Sequence, residues 1–238
     1  MKKNSILIWQ DLVPKNAPCV NVVIDVLRAF STVVHAFESG VEKVQLIDDV
    51  EAGLRYKNQS KNVLIAGESL GSKLPGYDFD NSPYQIRNQD LRGKTLGLKT
   101  TNGVRVILNS LDVEHVFAVG ANNAIPTALC IHNIMSNIEF PCVVNLIASH
   151  PTAEEDLSCA IFMKEIIDSG TAPKDQEVQD FCSSILNASA AKKFVDAERK
   201  EFNPMDLIMC SDVRDGSVIS VSNDGFENKP VLIKQDLM

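Results

Sequence analysis

NVVIDVLRAFST, residues 21–32, is the stretch on which the fold turns. Val22, Val23, Ile24 and Val26 form a short β-branched run, the composition of a parallel strand buried on both faces. Asp25 interrupts the run near its carboxyl end, and Arg28, Ser31 and Thr32 follow where a helix should begin. A strand feeding directly into a helix is the unit of a parallel α/β sheet. In open sheets of that kind ligands bind beyond the carboxyl ends of the strands, where helix N-termini attract anions. One acid, one base and two hydroxyls therefore converge at the edge where such folds do chemistry. A structural aspartate capping the next helix explains the same segment equally well.

Working outward, the alternation continues. Residues 5–9 read as a first strand; 21–26 lead into a helix through about residue 39, with Gly40 as its stop. Further strands are expected at 44–47, 63–66, 95–99, 116–119 and 143–147. Helices are expected at 50–58, capped by Asp48 or Asp49, and at 104–109, 124–135 and 153–168. The last of these is amphipathic, with Leu157, Ala160, Ile161, Lys164 and Ile167 at helical spacing. Residues 170–176 form a polar connection and 178–194 a helix in one or two pieces. Residues 205–234 mix short apolar runs with turns at Asp215-Gly216 and Asp224-Gly225, with strands at 218–221 and 231–233. The pattern predicts an α/β fold, layered α/β/α, with a largely parallel sheet. Residues 1–238 read as a single domain, and two similar, tightly packed α/β subdomains without a clear linker remain an open alternative.

Composition bounds the function. The 238 residues are 45% hydrophobic and 23% charged, which suits a folded globular chain. A net charge of −8 argues against a non-specific nucleic-acid binder, yet leaves room for a local basic pocket that takes a small anion. No apolar run approaches the ~20 residues that cross a bilayer, and the N-terminal apolar run is too short for a signal-peptide core. The cysteines at 19, 130, 142, 159, 182 and 210 form no CxxC pair and no zinc spacing. They read as reduced core residues of a cytoplasmic protein.

Two further segments carry chemistry. Residues 67–82, GESLGSKLPGYDFDNS, form a long irregular connection that ends in a Ser82-Pro83 helix start. It begins with Glu68 and carries Asp78, Asp80 and Asn81. Thr100-Thr101-Asn102-Gly103 follows a strand and opens a helix, so its hydroxyls, amide and glycine make an oxyanion cradle, and Arg105 lies one turn in. Hard cations such as Mg2+ need only a few carboxylates. Asp25, Glu68 and one acid of Glu154-Glu155-Asp156 would suffice, although acids in a first helical turn are also favoured by the helix dipole alone. His150, in a loop after a strand, is the one histidine placed near this chemistry. There is no Walker-type or GxGxxG motif, and the segment after Asp25 is not a DxD nucleophile motif, since Leu27 stands two residues after Asp25.

Taken together, VIDVLRAFST (23–32), GESLGSKLPGYDFDNSP (67–83) and KTLGLKTTNGVRV (94–106) resemble, in order and rough spacing, the signature blocks of the ComB family of 2-phosphosulfolactate phosphatases. IASHPTAEED (147–156) resembles a weaker fourth block. Val104, Phe30 and Ala148-Ser149 depart from the usual family residues. The resemblance implies a Mg2+-dependent phosphatase that converts (2R)-phospho-3-sulfolactate to 3-sulfolactate and phosphate, a step towards coenzyme M, on an α/β fold distinct from the haloacid-dehalogenase phosphatases. It implies Asp25, Glu68 and Asp156 as Mg2+ ligands, with Glu155 as a general base beside Asp25. Arg28 and Arg105 would neutralise substrate charge, and Ser31, Thr32, Asn81, Thr100, Thr101, Asn102 and Gly103 would orient its oxygens. Asp206 and Asp212 could join the metal site if the last third folds back over the cleft. A phosphatase of another phosphorylated hydroxy acid, or a non-catalytic binder of a small phosphorylated or sulfonated acid, fits the same residues. A homo-oligomer is the general prior.

Overall fold

The computed structural model describes residues 4–14 and 18–235. The strands are β1 (Ser5–Gln10), β2 (Val20–Ile24), β3 (Lys43–Leu46), β4 (Val63–Ser69), β5 (Ser72–Lys73), β6 (Thr95–Lys99), β7 (His115–Val119), β8 (Val143–Ala148), β9 (Ile219–Ser222) and β10 (Val231–Lys234). They form one sheet in the order β1-β8-β2-β7-β9-β10-β3-β6-β4-β5. Within it, β1-β8-β2-β7 is a parallel half, and so is β3-β6-β4. The antiparallel pair β9-β10 joins them, pairing with β7 on one side and β3 on the other. The expected largely parallel α/β sheet is present, with this antiparallel seam at its centre.

The seam reverses strand direction between the halves, yet their carboxyl ends meet. A sheet twist of about 20–25° per strand pair amounts to roughly 120–150° over the six steps from β2 to β4, which offsets that reversal of direction. Contact between the halves is made by Asp25, after β2, and Gly103, after β6.

Alternation along β2 shows the layering. Val20, Val22 and Ile24 point into one apolar layer with β7 and β8 residues and with α5 (Ala124–Asn137), α6 (Glu154–Ser169) and α7 (Asp175–Asn187). Val23 points into the opposite layer with α1 (Ala29–Glu38) and α4 (Gly103–Leu108). A third cluster packs α2 (Val50–Lys57) on β4 through Tyr56, Ile65 and Tyr77. Local signals work as expected at several ends. Asp49 caps α2 at Ala52 N, Ser82 and Pro83 start α3 (Pro83–Arg87), and Gly170 ends α6 in the left-handed region.

Some expectations are corrected. On α6 Ile161 is exposed, while Cys159, Phe162, Met163 and Ile166 are buried, because α5 and α7 flank the helix and widen its buried arc beyond one stripe. The polar connection after Gly170 is shorter than expected, since α7 begins at Asp175. The apolar run near 205 is a helix, α9 (Pro204–Cys210), capped by Asn203 at Met205 N. Another short helix, α8 (Lys192–Val195), precedes it. Not all six cysteines are free: Cys19 and Cys142 form a disulfide with a Cα–Cα distance of 5.6 Å. Pairing of β2 with β8 sets these residues side by side, a contact that sequence spacing does not reveal. Among the described residues no helix is long and apolar enough to cross a membrane.

Candidate active site

Asp25 follows the last residue of β2 and serves two helices at once. Its Oδ1 accepts the Ala29 N–H of α1 at 3.0 Å, and its Oδ2 accepts the Gly103 N–H of α4 at 3.1 Å. The capping role and the site role therefore belong to the same side chain. Burial pushes its carboxyl up to about 6, against the pull of these donors and with the charge of Glu68 adding to the rise. Gly103 is required here, since a Cβ on it would lie 2.8 Å from Asp25 Oδ2.

Glu68 stands at the end of β4 and ties the second block to the third. Its Oε1 accepts from Thr101 N at 2.8 Å and Thr101 Oγ1 at 3.0 Å, and its Oε2 from Gly71 N at 2.8 Å. Asp156, in the first turn of α6, accepts from Val26 N at 2.8 Å and from Ser149 N and Oγ at 3.2 and 3.0 Å. It joins the β2–α1 turn to the β8–α6 turn. Beside it Glu155 is buried, and its Oε2 has no hydrogen-bond partner among the described residues. Burial raises its carboxyl to about 7, and the charge of Asp25 adds to the effect. Asp156 is raised for the same two reasons. Four carboxylates from three chain segments are thus drawn to one edge of the sheet.

They face a cleft of two adjoining lobes. The first, of about 400 Å³, is lined by Asp25, Arg28, Glu68, Asn81, Thr100, Thr101, Asn102 and His150, with Lys193, Arg199 and Phe202 from the C-terminal third. The second, of about 350 Å³, is lined by Ser149, Thr152, Glu155, Asp156 and Ser189, and shares Asp25, Asn102, His150 and Lys193 with the first. Cation, amide, hydroxyl and carboxylate groups together suit a small, strongly acidic ligand that carries oxygen donors for a hard cation.

Several expected site residues lie elsewhere or do something else. Ser31 is fully buried and donates its Oγ to Val26 O at 2.8 Å, and Thr32 is buried within α1; neither lines the cleft. α1 is buried on all sides from Ala29 to Phe37, which the motif alone did not reveal. Gly103 contributes its N–H to Asp25 and not to the cleft. Arg105 pairs with Asp11 on the surface, because the loop after β1 passes the outer face of α4. Asp78 bonds Lys57 and Ile65 N, on the α2 side. Asp212 pairs with Arg214 and is not at the cleft, whereas Asp206 is fully buried beneath it. Arg28 does line the first lobe, but it is locked between Asp206 and Asp80 at 3.0 and 3.4 Å. Lys193, Arg199 and Phe202 were missed altogether; Lys193 in a short helix and Arg199 in the connection after it gave no motif that linked them to Asp25.

Comparisons with known proteins show the family. The family model described as 2-phosphosulpholactate phosphatase matches residues 6–208. A probable 2-phosphosulfolactate phosphatase of Bacillus subtilis is 33% identical over 207 residues, covering 87% of this chain and 88% of that protein. Similar proteins with the same description occur in Thermoplasma volcanium, 38% identical over 93 residues (39% of this chain, 44% of that one), and in Caldicellulosiruptor saccharolyticus, 31% identical over 147 residues (61% of each).

Proposed function

Because the chain belongs to the 2-phosphosulfolactate phosphatase family, we propose that it hydrolyses (2R)-phospho-3-sulfolactate to 3-sulfolactate and inorganic phosphate, with Mg2+ as its metal. The observation that carries this reading is the convergence of Asp25, Glu68, Glu155 and Asp156 on a cleft that also holds amides, hydroxyls and basic side chains.

The donor set fits a hard cation. All four acids offer carboxylate oxygens, Glu155 Oε2 is buried with no partner, and Asp25, Glu155 and Asp156 all have raised pKa values through burial and mutual repulsion. Among the described residues no three such groups are already close enough together to share an ion. The fit therefore rests on chemistry and convergence, with Asp25, Glu68 and Asp156 as the residues that would hold Mg2+. When bound, the ion would polarise a phosphoryl oxygen and favour attack by water.

The protein's own contribution is electrostatic and positional, as phosphate monoesters demand. Asn102 and Lys193, shared by both lobes, orient and neutralise phosphoryl oxygens at their junction. Thr100, Thr101 and Asn81 orient the rest of the substrate from the first lobe. Glu155, near neutrality in its affinity for a proton, takes one at Oε2 as general base.

The test is phosphate release from (2R)-phospho-3-sulfolactate with Mg2+, then with excess chelator, in the wild type and Asp25→Asn. Turnover that chelation abolishes, and that falls at least ~100-fold in the variant, is the expected result for loss of a charged metal ligand. Near-normal turnover of a folded Asp25→Asn removes Asp25 from the reaction. Release from other phosphorylated hydroxy acids alone would reassign the substrate.

A further inference from the structure

Three cationic side chains line the first lobe: Arg28, Lys193 and Arg199. They are not equivalent. Arg28 is buried and committed. Its Nη1 donates to Asp206 at 3.0 Å and Asp80 at 3.4 Å, and its Nη2 to Gly71 O at 3.3 Å. Two carboxylates on one guanidinium leave that group of three with no positive charge to offer a ligand. Arg199 is the opposite case. Its Nε donates to Glu201 Oε1 at 3.1 Å, its guanidinium lies over the Phe202 ring at 4.7 Å, and its Nη atoms have no hydrogen-bond partner among the described residues. The planar head is thus pinned at Nε and stacked on one face, its two terminal nitrogens have no partner among the described residues, and Arg199 lines the first lobe.

The segment that carries Arg199 is seated by contacts separate from the main core. Ser189 N donates to Glu154 Oε2 at 2.7 Å. Ala191, Phe194 and Leu207 form a small apolar cluster with Leu27 and Phe202. Arg28 also lies over Phe202, at 5.0 Å, so this one ring meets both arginines. Gly71 makes room for it, since a Cβ there would come within 2.5 Å of Phe202 Cζ.

We propose that Arg199 is the specificity-determining residue that binds the substrate's sulfonate through its two Nη groups, and that Arg28 is a positioning residue that fastens segment 189–202 over the cleft without touching substrate. The inference rests on the phosphatase reading above and deepens it. Division of labour between the lobes supports it. With the phosphoryl group at the junction of the lobes, between Asn102 and Lys193 and beside Asp25, Glu155 and Asp156, the part of the first lobe lined by Arg199 and Phe202 is left for the remote acidic group. A sulfonate has three equivalent acceptor oxygens, and the guanidinium fork can donate to two of them.

The experiment compares steady-state kinetics on phosphosulfolactate and on O-phospholactate, which lacks the sulfonate. For Arg199→Gln, KM for phosphosulfolactate should rise ~10- to 100-fold with kcat nearly unchanged, the loss expected for charge-assisted hydrogen bonds. KM for O-phospholactate should not move, and Arg199→Lys should recover part of the loss. Arg28→Met should raise KM for both compounds and expose Lys192, Lys193 and Arg199 to trypsin. An Arg199→Gln enzyme that keeps the wild-type preference for the sulfonated compound overturns the proposal. So does Arg28→Met if it affects only the sulfonated compound. If the wild type turned over neither compound, the phosphatase reading would fail on its own. Arg199 would then be judged by calorimetric binding of phosphosulfolactate: weaker binding by Arg199→Gln supports the assignment, and equal or absent binding in both proteins overturns it.

Discussion

Asp206→Ala tests how the C-terminal third is fastened to the rest of the molecule. Asp206 is fully buried in α9 and accepts from Arg28 Nη1 at 3.0 Å, Ser82 Oγ at 2.7 Å and Tyr84 N at 3.0 Å. Removing one partner of a buried ion pair costs about 3–5 kcal/mol, because the other charge is left unpaired. Here the cost falls at the low end, about 3 kcal/mol, for two reasons. Arg28 keeps Asp80 at 3.4 Å, and the loss relieves repulsion that raises the Asp80 carboxyl. For a chain of this size that is roughly 6–12 °C in Tm. Asp206→Asn keeps an oxygen for Ser82 and Tyr84 but turns an amide N–H towards Arg28 Nη1 and removes its counter-charge, so it should cost about 2–3 kcal/mol, close to the alanine variant. Urea unfolding of both variants, of Arg28→Met and of the double variant Arg28→Met/Asp206→Ala measures the terms. The double variant should be more stable than the sum of the singles by more than ~1 kcal/mol, since each single change strands the other's charge. Additive losses, or an Asp206→Ala protein within ~0.5 kcal/mol of the wild type, would refute the reasoning.

Two other outcomes follow from the acids. Asp25 and Glu155 have their carboxyls pushed up to about 6 and about 7 by burial, above the ordinary values of 3.8 and 4.5 that hold in an unfolded chain. Between these limits the folded state holds more protons than the unfolded one, so stability falls as pH rises. Chelated protein should therefore melt higher at pH 5 than at pH 8, and Mg2+ should narrow the gap; a rise in stability over that interval would contradict the assigned cause. The depressed carboxyls of Glu38 and Asp48 act below this window and do not disturb it. Gly103→Ala would set a Cβ 2.8 Å from Asp25 Oδ2 and 3.0 Å from Phe30 Cζ. It should cut kcat ~10-fold by shifting Asp25, a loss of the size that small misplacement brings, with little loss of Tm because Ala favours the helix. Unchanged kcat would show that Asp25 needs no such support.

The sequence by itself determined the features that local chemistry can encode. Strand and helix alternation, the Asp49 and Ser82 caps and the Gly170 stop were legible, because each depends on residues within one turn of the chain. Asp25, Glu68, Glu155 and Asp156 were legible as candidates, because each sits at or just after a strand end or in the first turn of a helix, where a carboxylate can serve a ligand, a helix start or both. Tertiary structure decided the rest. The antiparallel seam of β9 and β10 depends on pairing across the whole chain, and the Asp25–Gly103 hydrogen bond joins strand ends from its two sides. The inward turn of Ser31 and Thr32, the capture of Arg105 by Asp11 and the Cys19–Cys142 bond are contacts between segments that no local pattern links. Arg28 reads in its motif as a free cation at a helix start. Two acids distant in sequence, Asp80 and Asp206, take up its charge, and the basic side chains left to the cleft come from a segment with no motif at all.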